Sequence, residues 1–418
     1  MDAIKMINYL IGLLFVAAYA YQFLYIPLSL FGKEKKKDTE IREHDYAVLI
    51  CARNEEEVIG DLLDSIAAQD YPAEHIHCFV MADNCTDATA EAAVKHGAAV
   101  FERFNNREVG KGYALNELLK KIPEDVASKI KGYFVFDADN LLKKDYFTQM
   151  NKKVCEGNEL ITSYRNSKNY SHNWISAAYA LWFLRESRYL NYPRYLCAGS
   201  GAVSGTGFYF SRAIAEENGG WPYHLLTEDI EFSADQILKG RKIAFCREAE
   251  LYDEQPVTFT HSYKQRLRWA KGYFQVFQKY GKALIAGALR GSFACYDMLN
   301  TIMPAFFLSA LSLLLNGICL LCSLKDPNAL LTVLQSLGET LRSVYLMFCV
   351  LGAITTFSEW KKIDCPPLKK ILYIFSFPLF MMTYLPIALL SLFTSVSWEP
   401  IPHTFSRKRL YREAKGRS

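Results

Sequence analysis

The stretch Tyr46-Ala47-Val48-Leu49-Ile50-Cys51-Ala52-Arg53-Asn54-Glu55-Glu56 decides the fold of this chain. Its first six residues form a continuous apolar run of the length of one buried strand. The polar residues that follow lead into apolar residues at helical spacing, namely Val58, Ile59, Leu62, Leu63 and Ile66. A buried strand that feeds directly into an amphipathic helix is typical of the parallel sheet of an α/β domain.

The same arrangement recurs twice downstream, and each time polar side chains follow the strand. Residues 77–81 run into Asp83-Asn84-Cys85-Thr86-Asp87, and residues 132–136 run into Asp137-Ala138-Asp139. Ligands of an open parallel sheet bind outside the carboxyl ends of its strands. We therefore predict an α/β domain with a mainly parallel sheet, and a nucleotide site along the edge that the polar clusters share.

Long apolar runs near both ends surround this central part in a chain of 418 residues that is 51% hydrophobic. The first run, residues 7–31, is long enough to span a bilayer and has no small-residue cleavage site. It also exceeds the apolar region of a cleaved signal peptide, which is usually about 7 to 15 residues long. Lys33, Lys35, Lys36 and Lys37 follow it, and the positive-inside rule then places the next domain in the cytoplasm. We predict an uncleaved N-terminal anchor.

Three further apolar runs follow the central part, at residues 298–323, 330–357 and 371–394. Glu339 and Arg342 interrupt the second run, either as a pair that lines a polar path or as the outer end of a shorter span. Pro378 and Pro386 should kink the third run or break it into a re-entrant pair. Four full spans would put the C-terminal tail outside, whereas its basic residues favour the cytoplasm: Arg407, Lys408, Arg409, Arg412, Lys415 and Arg417.

Charge and cysteine content exclude other classes of protein. The net charge of +4 comes partly from basic runs at membrane flanks, and no nucleic-acid-binding motif is present, so we predict no nucleic acid partner. The 11 cysteines are scattered, without paired Cys-x-x-Cys sets or histidines at zinc spacing. They are interpreted as reduced packing residues, which fits a cytosolic catalytic part.

Three polar clusters in the central part carry the chemistry. Asp137 and Asp139 can hold a divalent cation, and a carboxylate of Thr227-Glu228-Asp229 can deprotonate a hydroxyl. The segment Gln265-Arg266-Leu267-Arg268-Trp269 can hold a phosphate leaving group and stack a sugar, and Phe274, Val276 and Phe277 after it indicate a helix at the membrane surface. Together the clusters predict sugar transfer beside a membrane.

These motifs, with Gly110-Lys111-Gly112-Tyr113-Ala114-Leu115-Asn116, stand in the order found in membrane-bound family-2 glycosyltransferases. Within that family the chain resembles processive polysaccharide synthases such as cellulose, hyaluronan, chitin and poly-N-acetylglucosamine synthases. The resemblance covers about residues 45–295 in motif detail. It implies a GT-A-type nucleotide-sugar-binding domain, a UDP-sugar donor, Mg²⁺ or Mn²⁺ as cofactor, and inversion at the anomeric carbon.

The resemblance also implies a role for each motif residue. On the donor side, Glu55 and Asp83 would recognise uridine, and Lys111, Asp137 and Arg268 would be further donor contacts. Asp139, together with Asp137, would bind the metal. Asp229 would be the general base, oriented by Glu228, and Gln265 and Trp269 would contact the acceptor. Each motif also has a purely structural interpretation. Asp83 and Asp137-Ala138-Asp139 could be turns that end strands, Glu55 a charge at a helix N-terminus, Lys111 a solvated loop residue, Thr227 a helix cap, and the last cluster the belt of an interfacial helix.

Two segments fit the resemblance less closely. Gly199-Ser200-Gly201 and Ser204-Gly205-Thr206-Gly207 fall where the synthases carry an acceptor loop, but they depart from the cellulose-synthase form Phe-Phe-Cys-Gly-Ser. Trp398-Glu399-Pro400-Ile401-Pro402-His403, just past the last apolar run, suggests packing near the membrane and has no assignable chemistry.

The predicted organisation has five parts: an anchor (1–32), a cytosolic GT-A domain (45–260), an interfacial segment (261–295), C-terminal membrane segments (296–396) and a basic tail (397–418). We predict a multi-pass membrane enzyme that transfers a hexose or N-acetylhexosamine from a UDP-sugar to a growing β-linked polysaccharide. The partners are the donor, a glycan or lipid-linked acceptor and the lipid bilayer. One alternative is single addition to a lipid or cell-envelope glycan, and another is a catalytically inactive membrane scaffold.

Overall fold

The computed structural model describes residues 2–34, 38–197, 199–403 and 405. The predicted basic residues Lys35, Lys36 and Lys37 and the basic tail from Arg407 lie outside the described residues. The strands are β1 (Tyr46–Ala52), β2 (Ile76–Asp83), β3 (Ala99–Arg103), β4 (Gly132–Asp137), β5 (Leu141–Leu142), β6 (Leu160–Ser167), β7 (Phe208–Ser211) and β8 (Ala244–Asp253).

Helices occupy both the central part and the ends of the described chain. They are α1 (Asp2–Phe31), α2 (Ile59–Ala67), α3 (Thr89–Lys95), α4 (Lys111–Lys121), α5 (Glu124–Ala127), α6 (Tyr146–Cys155), α7 (Trp174–Glu186), α8 (Tyr192–Leu196), α9 (Arg212–Asn218), α10 (Glu228–Leu238), α11 (Phe259–Leu289), α12 (Phe293–Ile302), α13 (Pro304–Ser323), α14 (Pro327–Ser358), α15 (Pro367–Met382) and α16 (Tyr384–Phe393). A π-helical turn, Ser187–Asn191, joins α7 to α8.

The sheet has the strand order β3-β2-β1-β4-β7-β6-β8-β5. The first four strands are parallel, and β7 runs antiparallel to both β4 and β6. These pairings confirm the predicted α/β class with a mainly parallel sheet. Because β7 is reversed, it begins where the parallel strands end, and the Gly207 amide donates to the Val135 carbonyl oxygen at 2.9 Å. The small-residue loop before β7 therefore lies at the edge that carries the polar clusters.

Alternating residues of β1 fill two apolar layers, one on each face of the sheet. Val48 and Ile50 pack with α2 and α6, whereas Ala47 and Leu49 pack with α4. All four side chains are fully buried. Burial on both faces explains why β1 has a continuous apolar sequence rather than an alternating one.

Among the described residues, four stretches of helix are long and apolar enough to cross a membrane: Ile4–Phe31, Ala305–Ser323, Pro327–Ser358 and Pro367–Phe393. The last stretch comprises α15 and α16, which meet at Thr383, between the two prolines that predicted a break. Lys369, near its start, donates to the Ser171 carbonyl oxygen at 3.3 Å. Near its end, Lys271 of α11 donates to the Ser391 carbonyl oxygen at 3.0 Å.

A buried charged cluster fastens the N-terminal helix to the central part. Arg194 of α8 makes two hydrogen bonds to the Asp297 carboxylate of α12, at 2.6 and 2.8 Å. Tyr21 and Tyr25 of α1 donate to the same carboxylate, at 2.6 and 3.1 Å. Since both carboxylate oxygens are satisfied, the charge of Asp297 is buried with its partners in place.

Candidate active site

The polar residues predicted from strand ends do share one edge of the sheet. In the register of β1, Cys51 lies beside Met81 of β2 and Asp137 of β4. Asp83 ends β2 and Asp137 ends β4, so the two carboxyls stand on either side of β1. The edge therefore offers acidic groups to a ligand that lies across three neighbouring strands.

Lys111 lies at this edge, between Asp137 and the loop before β7. At the start of α4, its ammonium group donates to the Asp137 carboxylate and to the Gly205 carbonyl oxygen, the latter at 2.7 Å. Burial opposes the charge, but the negative charges of Asp137 and Glu228 outweigh burial and raise the pKa of Lys111. Lys111 is therefore a fixed cation in contact with the first carboxylate of the Asp137-Ala138-Asp139 motif, and it also orders the loop before β7.

Close packing fixes where α4 begins. A Cβ added to Gly112 would lie 2.0 Å from the Tyr223 carbonyl oxygen, so only glycine lets α4 approach the 219–227 loop this closely. The ring of Tyr113 stacks on that of His224 in the same loop, with 4.1 Å between ring centroids. The helix that presents Lys111 and the loop that leads to Thr227-Glu228-Asp229 are thus held together.

Asp139 lies deeper than Asp137 and is 5% exposed. Its Oδ2 accepts a hydrogen bond from the Glu254 amide at 2.7 Å. Burial opposes its ionisation, but the charges of His403 and Lys168 and the amide hydrogen bond outweigh burial, and the pKa of Asp139 is lowered. Asp139 is therefore an ionised, oriented carboxylate, as an oxygen ligand of a hard cation should be.

Glu228 and Asp229 are the first two residues of α10 and lie near the loop before β7. A Cβ built on Gly205 would lie 3.9 Å from both the Asp137 and the Asp229 Oδ2 atoms, so the two carboxyls face the same small space. Burial raises the pKa of Asp229, and burial together with the charge of Asp229 raises the pKa of Glu228 to about 7. A carboxyl with a raised pKa beside a ligand space is a candidate general base.

The helix α11 carries the Gln265-Arg266-Leu267-Arg268-Trp269 segment and packs directly against this pair. A Cβ added to Gly272 would lie 2.5 Å from the Thr227 side chain. The positive charge of Arg268 lowers the pKa of both Glu228 and Asp229, which places its guanidinium within electrostatic reach of the two carboxyls. Gln265 Oε1 is buried and has no hydrogen-bond partner among the described residues.

Trp269 and Arg266 of this segment differ in environment. Trp269 is half-buried, and its ring makes edge contacts with Tyr179 and Phe183 of α7, with centroids 5.8 and 6.0 Å apart. Arg266 is 1% exposed and donates to Thr383 Oγ1 at 2.8 Å, where α15 meets α16. Arg266 therefore joins α11 to the last apolar helices, whereas the charge of Arg268 acts on the Glu228 and Asp229 carboxyls.

The two residues predicted to recognise uridine already have protein partners. Asp83 is paired with Arg103 at 2.7 Å, and burial nevertheless raises its pKa. The Glu55 carboxylate contacts His403 Nδ1 at 2.8 and 3.0 Å. Burial raises the pKa of Glu55 to about 7, and the pKa of His403 is raised to about 10 because Glu55 and Asp139 outweigh its burial. Both acids lie at the expected edge, but each has a basic partner that the motifs did not indicate.

The segment after α16, which the sequence predicted to pack near the membrane, contacts the same edge of the sheet. The Arg53 guanidinium stands over the Trp398 ring, 5.2 Å from its centroid. Beyond His403, the Phe405 amide donates to Glu254 Oε2 at 3.0 Å. A cavity of about 500 Å³ lies beneath this segment and has Arg53, Tyr113, His224, Gln275 and Trp398 in its walls. The unusual sequence around Pro400 and Pro402 was the only available signal for this placement.

Further residues that the motifs missed fix the loop before β7. Glu186, the last residue of α7, accepts from Ser204 Oγ, and Arg165 donates to the Ser204 carbonyl oxygen at 2.9 Å. Thr206 Oγ1 accepts from the Asp137 amide at 2.9 Å. These contacts hold the Ser204-Gly205-Thr206-Gly207 loop between Asp137 and Asp229, where the sequence predicted acceptor contacts.

The carboxylates of the site can bind a divalent cation whose remaining ligands come from a substrate. Within the described ranges, no three His, Cys, Asp or Glu side chains form a metal-binding group. Mg²⁺ is commonly held by one or two carboxylates together with substrate phosphates and water. Asp137 ends β4 and Asp139 lies in the turn that follows, so they supply two carboxylates of that kind, and the residues present fit a cation that arrives with a diphosphate.

The fold and the site define a class: an enzyme that handles a nucleotide-linked substrate at the carboxyl edge of a mainly parallel sheet, next to apolar helices. A sequence profile described as "Glycosyltransferase like family 2" matches residues 44–272. Because this match covers more than half of the chain, the chain belongs to glycosyltransferase family 2. The predicted resemblance to membrane-bound members of this family is confirmed.

The individual relatives share about a quarter of their residues with this chain over the matched part. A β-monoglucosyldiacylglycerol synthase of Synechocystis is 26% identical over 56% of this chain and 48% of its own length. A poly-β-1,6-N-acetyl-D-glucosamine synthase of Staphylococcus aureus is 25% identical over 59% of each. The chain spans about half the length of the curated relatives it matches. A mannosyltransferase of Pyrobaculum calidifontis, solved with GDP-Man and Mn²⁺, has a TM-score of 0.54 at 18% identity, with 93% of this chain and 98% of that chain covered, which supports the GT-A fold.

Proposed function

We propose that this protein transfers a hexose or N-acetylhexosamine from a UDP-sugar to a hydroxyl acceptor at the membrane surface, with inversion to a β-linkage. One observation carries the proposal: the Asp137 and Asp229 carboxyls both lie 3.9 Å from a Cβ built on Gly205, so they face the same space. A diphosphate held at Asp137 and a hydroxyl held at Asp229 would then flank the anomeric carbon from opposite sides, as direct displacement requires.

Each residue of the site has a defined task in this proposal. Glu55 and Asp83 accept hydrogen bonds from the uridine, and Lys111 and Arg268 balance the charge of the diphosphate. Asp137 and Asp139 would hold Mg²⁺ or Mn²⁺, which neutralises the charge that develops on the UDP leaving group. Asp229 removes the proton from the acceptor hydroxyl, and Glu228 beside it orients the base.

The acceptor side adjoins the interfacial helices. Gln265 has a free buried oxygen for an acceptor hydroxyl, and the half-buried Trp269 can offer part of its ring to a sugar. Trp269 belongs to the same apolar cluster as Phe377 and Phe380 of α15. An acceptor that reaches Asp229 past these helices arrives from the membrane side, which favours a lipid-held hydroxyl; the matched β-monoglucosyldiacylglycerol synthases are consistent with this.

Extension of a β-linked polysaccharide is the second candidate, because matched relatives include poly-β-1,6-N-acetyl-D-glucosamine synthases. The transfer chemistry would be the same, and only the fate of the product differs. We place the catalytic domain at the cytoplasmic face, because Lys33 follows α1 directly and the positive-inside rule assigns that flank to the cytoplasm.

The test uses the full-length protein in liposomes with Mn²⁺, diacylglycerol and individual radiolabelled UDP-sugars. We expect UDP release with one donor and a single-sugar lipid as product, whereas a high-molecular-weight glycan would establish the polymer candidate instead. Asp229→Asn should abolish turnover and still bind UDP, since it keeps the shape of the side chain and removes the base. Absence of UDP release with every donor would establish the inactive scaffold.

A further inference from the structure

The helix α14 carries a polar stripe, which we define as Gln335, Gly338, Glu339, Arg342 and Ser343. Gln335, Glu339 and Arg342 are spaced by four and three residues, so they lie on one face of the helix. All five residues are exposed. The stripe is thus an uncovered polar face on a helix that is otherwise apolar enough to cross a membrane.

The stripe lies inside the candidate membrane stretch Pro327–Ser358 and not at either end of it. On the same helix, Leu331 and Leu334 precede it with large exposed fractions, and Leu346 and Val350 follow it with large exposed fractions. One turn before Glu339, Ser336 accepts a hydrogen bond from Asn8 at 2.8 Å. Asn8 also donates to Asn316 at 3.0 Å, and Asn316 lies inside the apolar stretch Ala305–Ser323.

The two charges of the stripe have no partners within the described part of the chain. No ion pair joins Glu339 and Arg342 to each other or to another described side chain. Ionisable side chains inside a membrane almost always pair or face a protein interior, because lipid does not solvate them. The stripe therefore needs a partner that is not part of a single copy of this chain.

We propose that the polar stripe of α14 is the interface at which two copies of this protein associate within the membrane. The stripe is complementary to itself, because it holds one acid and one base about one turn apart. A two-fold axis along the membrane normal would place Glu339 of each copy beside Arg342 of the other, an isologous arrangement.

The geometry of membrane insertion supports this pairing. All copies insert with the same orientation, so two α14 helices related by such an axis run parallel. In parallel helix pairs, charged residues contact residues about one turn away on the partner. A Cβ added to Gly338 would meet nothing within 4 Å, so the backbone of a second helix can approach at that position.

The test counts subunits by single-molecule photobleaching of the fluorescently labelled full-length protein in liposomes at low protein density. We expect dimers for the natural chain, and at least tenfold fewer dimers for Glu339→Arg alone or Arg342→Glu alone, since each gives like charges at the interface. The double variant E339R/R342E should restore dimers. Leu341→Ala, an exposed position on another face of α14, should leave the dimer fraction unchanged.

Producing two differently substituted copies together tests the proposed pairing of charges most directly. A Glu339→Arg copy and an Arg342→Glu copy, produced together, should form heterodimers even though neither associates with itself, because the two altered stripes are complementary. UDP release by the single variants should match that of the natural chain per copy, which shows that they are folded. A natural chain that remains monomeric in lipid, or charge-swapped copies that fail to pair, would overturn the proposal and assign the stripe to a water-filled path or another subunit.

Discussion

At the residue scale, Glu228 and Asp229 act as one titrating unit. They are adjacent at the start of α10, both are buried, and the charge of one raises the pKa of the other. Burial alone raises the pKa of a carboxyl, and a neighbouring carboxylate raises it further. The pair should therefore keep one proton to a higher pH than two separate carboxyls would, with Lys111 and Arg268 limiting the effect.

The raised pKa of Asp229 predicts a shift in the pH dependence of activity. A general base works only when ionised, so kcat/KM should fall on acidification, with a midpoint above the ordinary aspartate value of about 3.9 because burial raises the pKa of Asp229. Glu228→Gln should leave this midpoint in place, because Glu228, with a pKa of about 7, carries little charge while Asp229 titrates. UDP release measured from pH 4 to 9 gives both midpoints, with Asp235→Asn on the same helix as the control. A midpoint at or below the ordinary aspartate value would contradict the raised pKa of Asp229.

Sequence reasoning identified the acids and bases of the site but not all of their partners. The meeting of Asp137 with Asp229 was predictable, because strand ends share an edge and the motifs occur in a known order. The contact of Glu55 with His403 was not, because 348 positions separate the two residues and no local pattern encodes such a distance. The roles assigned to the motif residues stay predictions until variants are measured.

At the element scale, α11 brings the Gln265-Arg266-Leu267-Arg268-Trp269 segment against the start of α10. A Cβ added to Gly272 of this helix would lie 2.5 Å from the Thr227 side chain. Gly272→Ala should push α11 away from the start of α10, lower kcat/KM by about tenfold, equivalent to ~1.4 kcal/mol, and lower the free energy of unfolding by about 1–3 kcal/mol. UDP release and thermal unfolding measure both effects.

A second substitution tests whether a steric clash between the added methyl group and Thr227 causes the loss of activity in G272A. Thr227 Oγ1 is buried without a hydrogen-bond partner among the described residues, so Thr227→Ala should cost little by itself and remove the atoms nearest to the new Cβ. The double variant T227A/G272A should regain most of the lost activity. Gly317→Ala, where the added Cβ would meet nothing within 4 Å, is the control for adding a methyl group to a helix. A double variant as impaired as G272A would exclude the steric explanation.

The contacts of α15 and α16 suggest a solution to the conflict between the number of apolar runs and the basic tail, for which we predict a topology. Lys369 near the start of α15, Thr383 at the break and Ser391 near the end of α16 all contact the catalytic half. We therefore expect the pair to enter the membrane surface and return, so that α1, α13 and α14 are the only helices of the described chain that cross. The tail and the catalytic domain would then share one side.

Reporter fusions measure this topology. Green fluorescent protein fused after Ser418 should fluoresce, and alkaline phosphatase at the same position should be inactive, because both would be cytoplasmic. The same reporters fused after Lys325, between α13 and α14, should give the opposite result. An active phosphatase after Ser418 would mean that α15 and α16 together cross the membrane.

Some features of these elements were predictable and others were not. The apolar runs gave all four candidate membrane segments, and the prolines predicted a break in the last one. The break falls at Thr383, because Pro386 is the third residue of α16, where a backbone N–H has no intrahelical partner to lose. The reversed strand β7 was not predicted, because four residues between a loop and a helix carry too little periodicity to set a direction.

At the scale of the whole molecule, the Arg194 and Asp297 pair ties the N-terminal helix to the catalytic half. Asp297→Asn should lower the free energy of unfolding by about 3–5 kcal/mol, because it leaves the Arg194 charge buried without its counter-ion. Thermal unfolding of the detergent-solubilised protein measures the change. Glu216→Gln, which breaks an exposed ion pair with Arg212, should change stability by less than about 1 kcal/mol. Equal effects of the two variants would contradict the buried-pair interpretation.

The segment that follows α16 contacts the catalytic part, so biochemical experiments need both the catalytic part and the C-terminal helices. His403 and Phe405 reach Glu55 and Glu254 only because the chain first passes through the apolar helices and then returns to the sheet. A soluble fragment that stops before α12 would be convenient to express, yet it would leave Glu55 without its imidazole and Glu254 without the Phe405 amide. Donor affinities measured on such a fragment would therefore describe a different pocket from that of the intact enzyme.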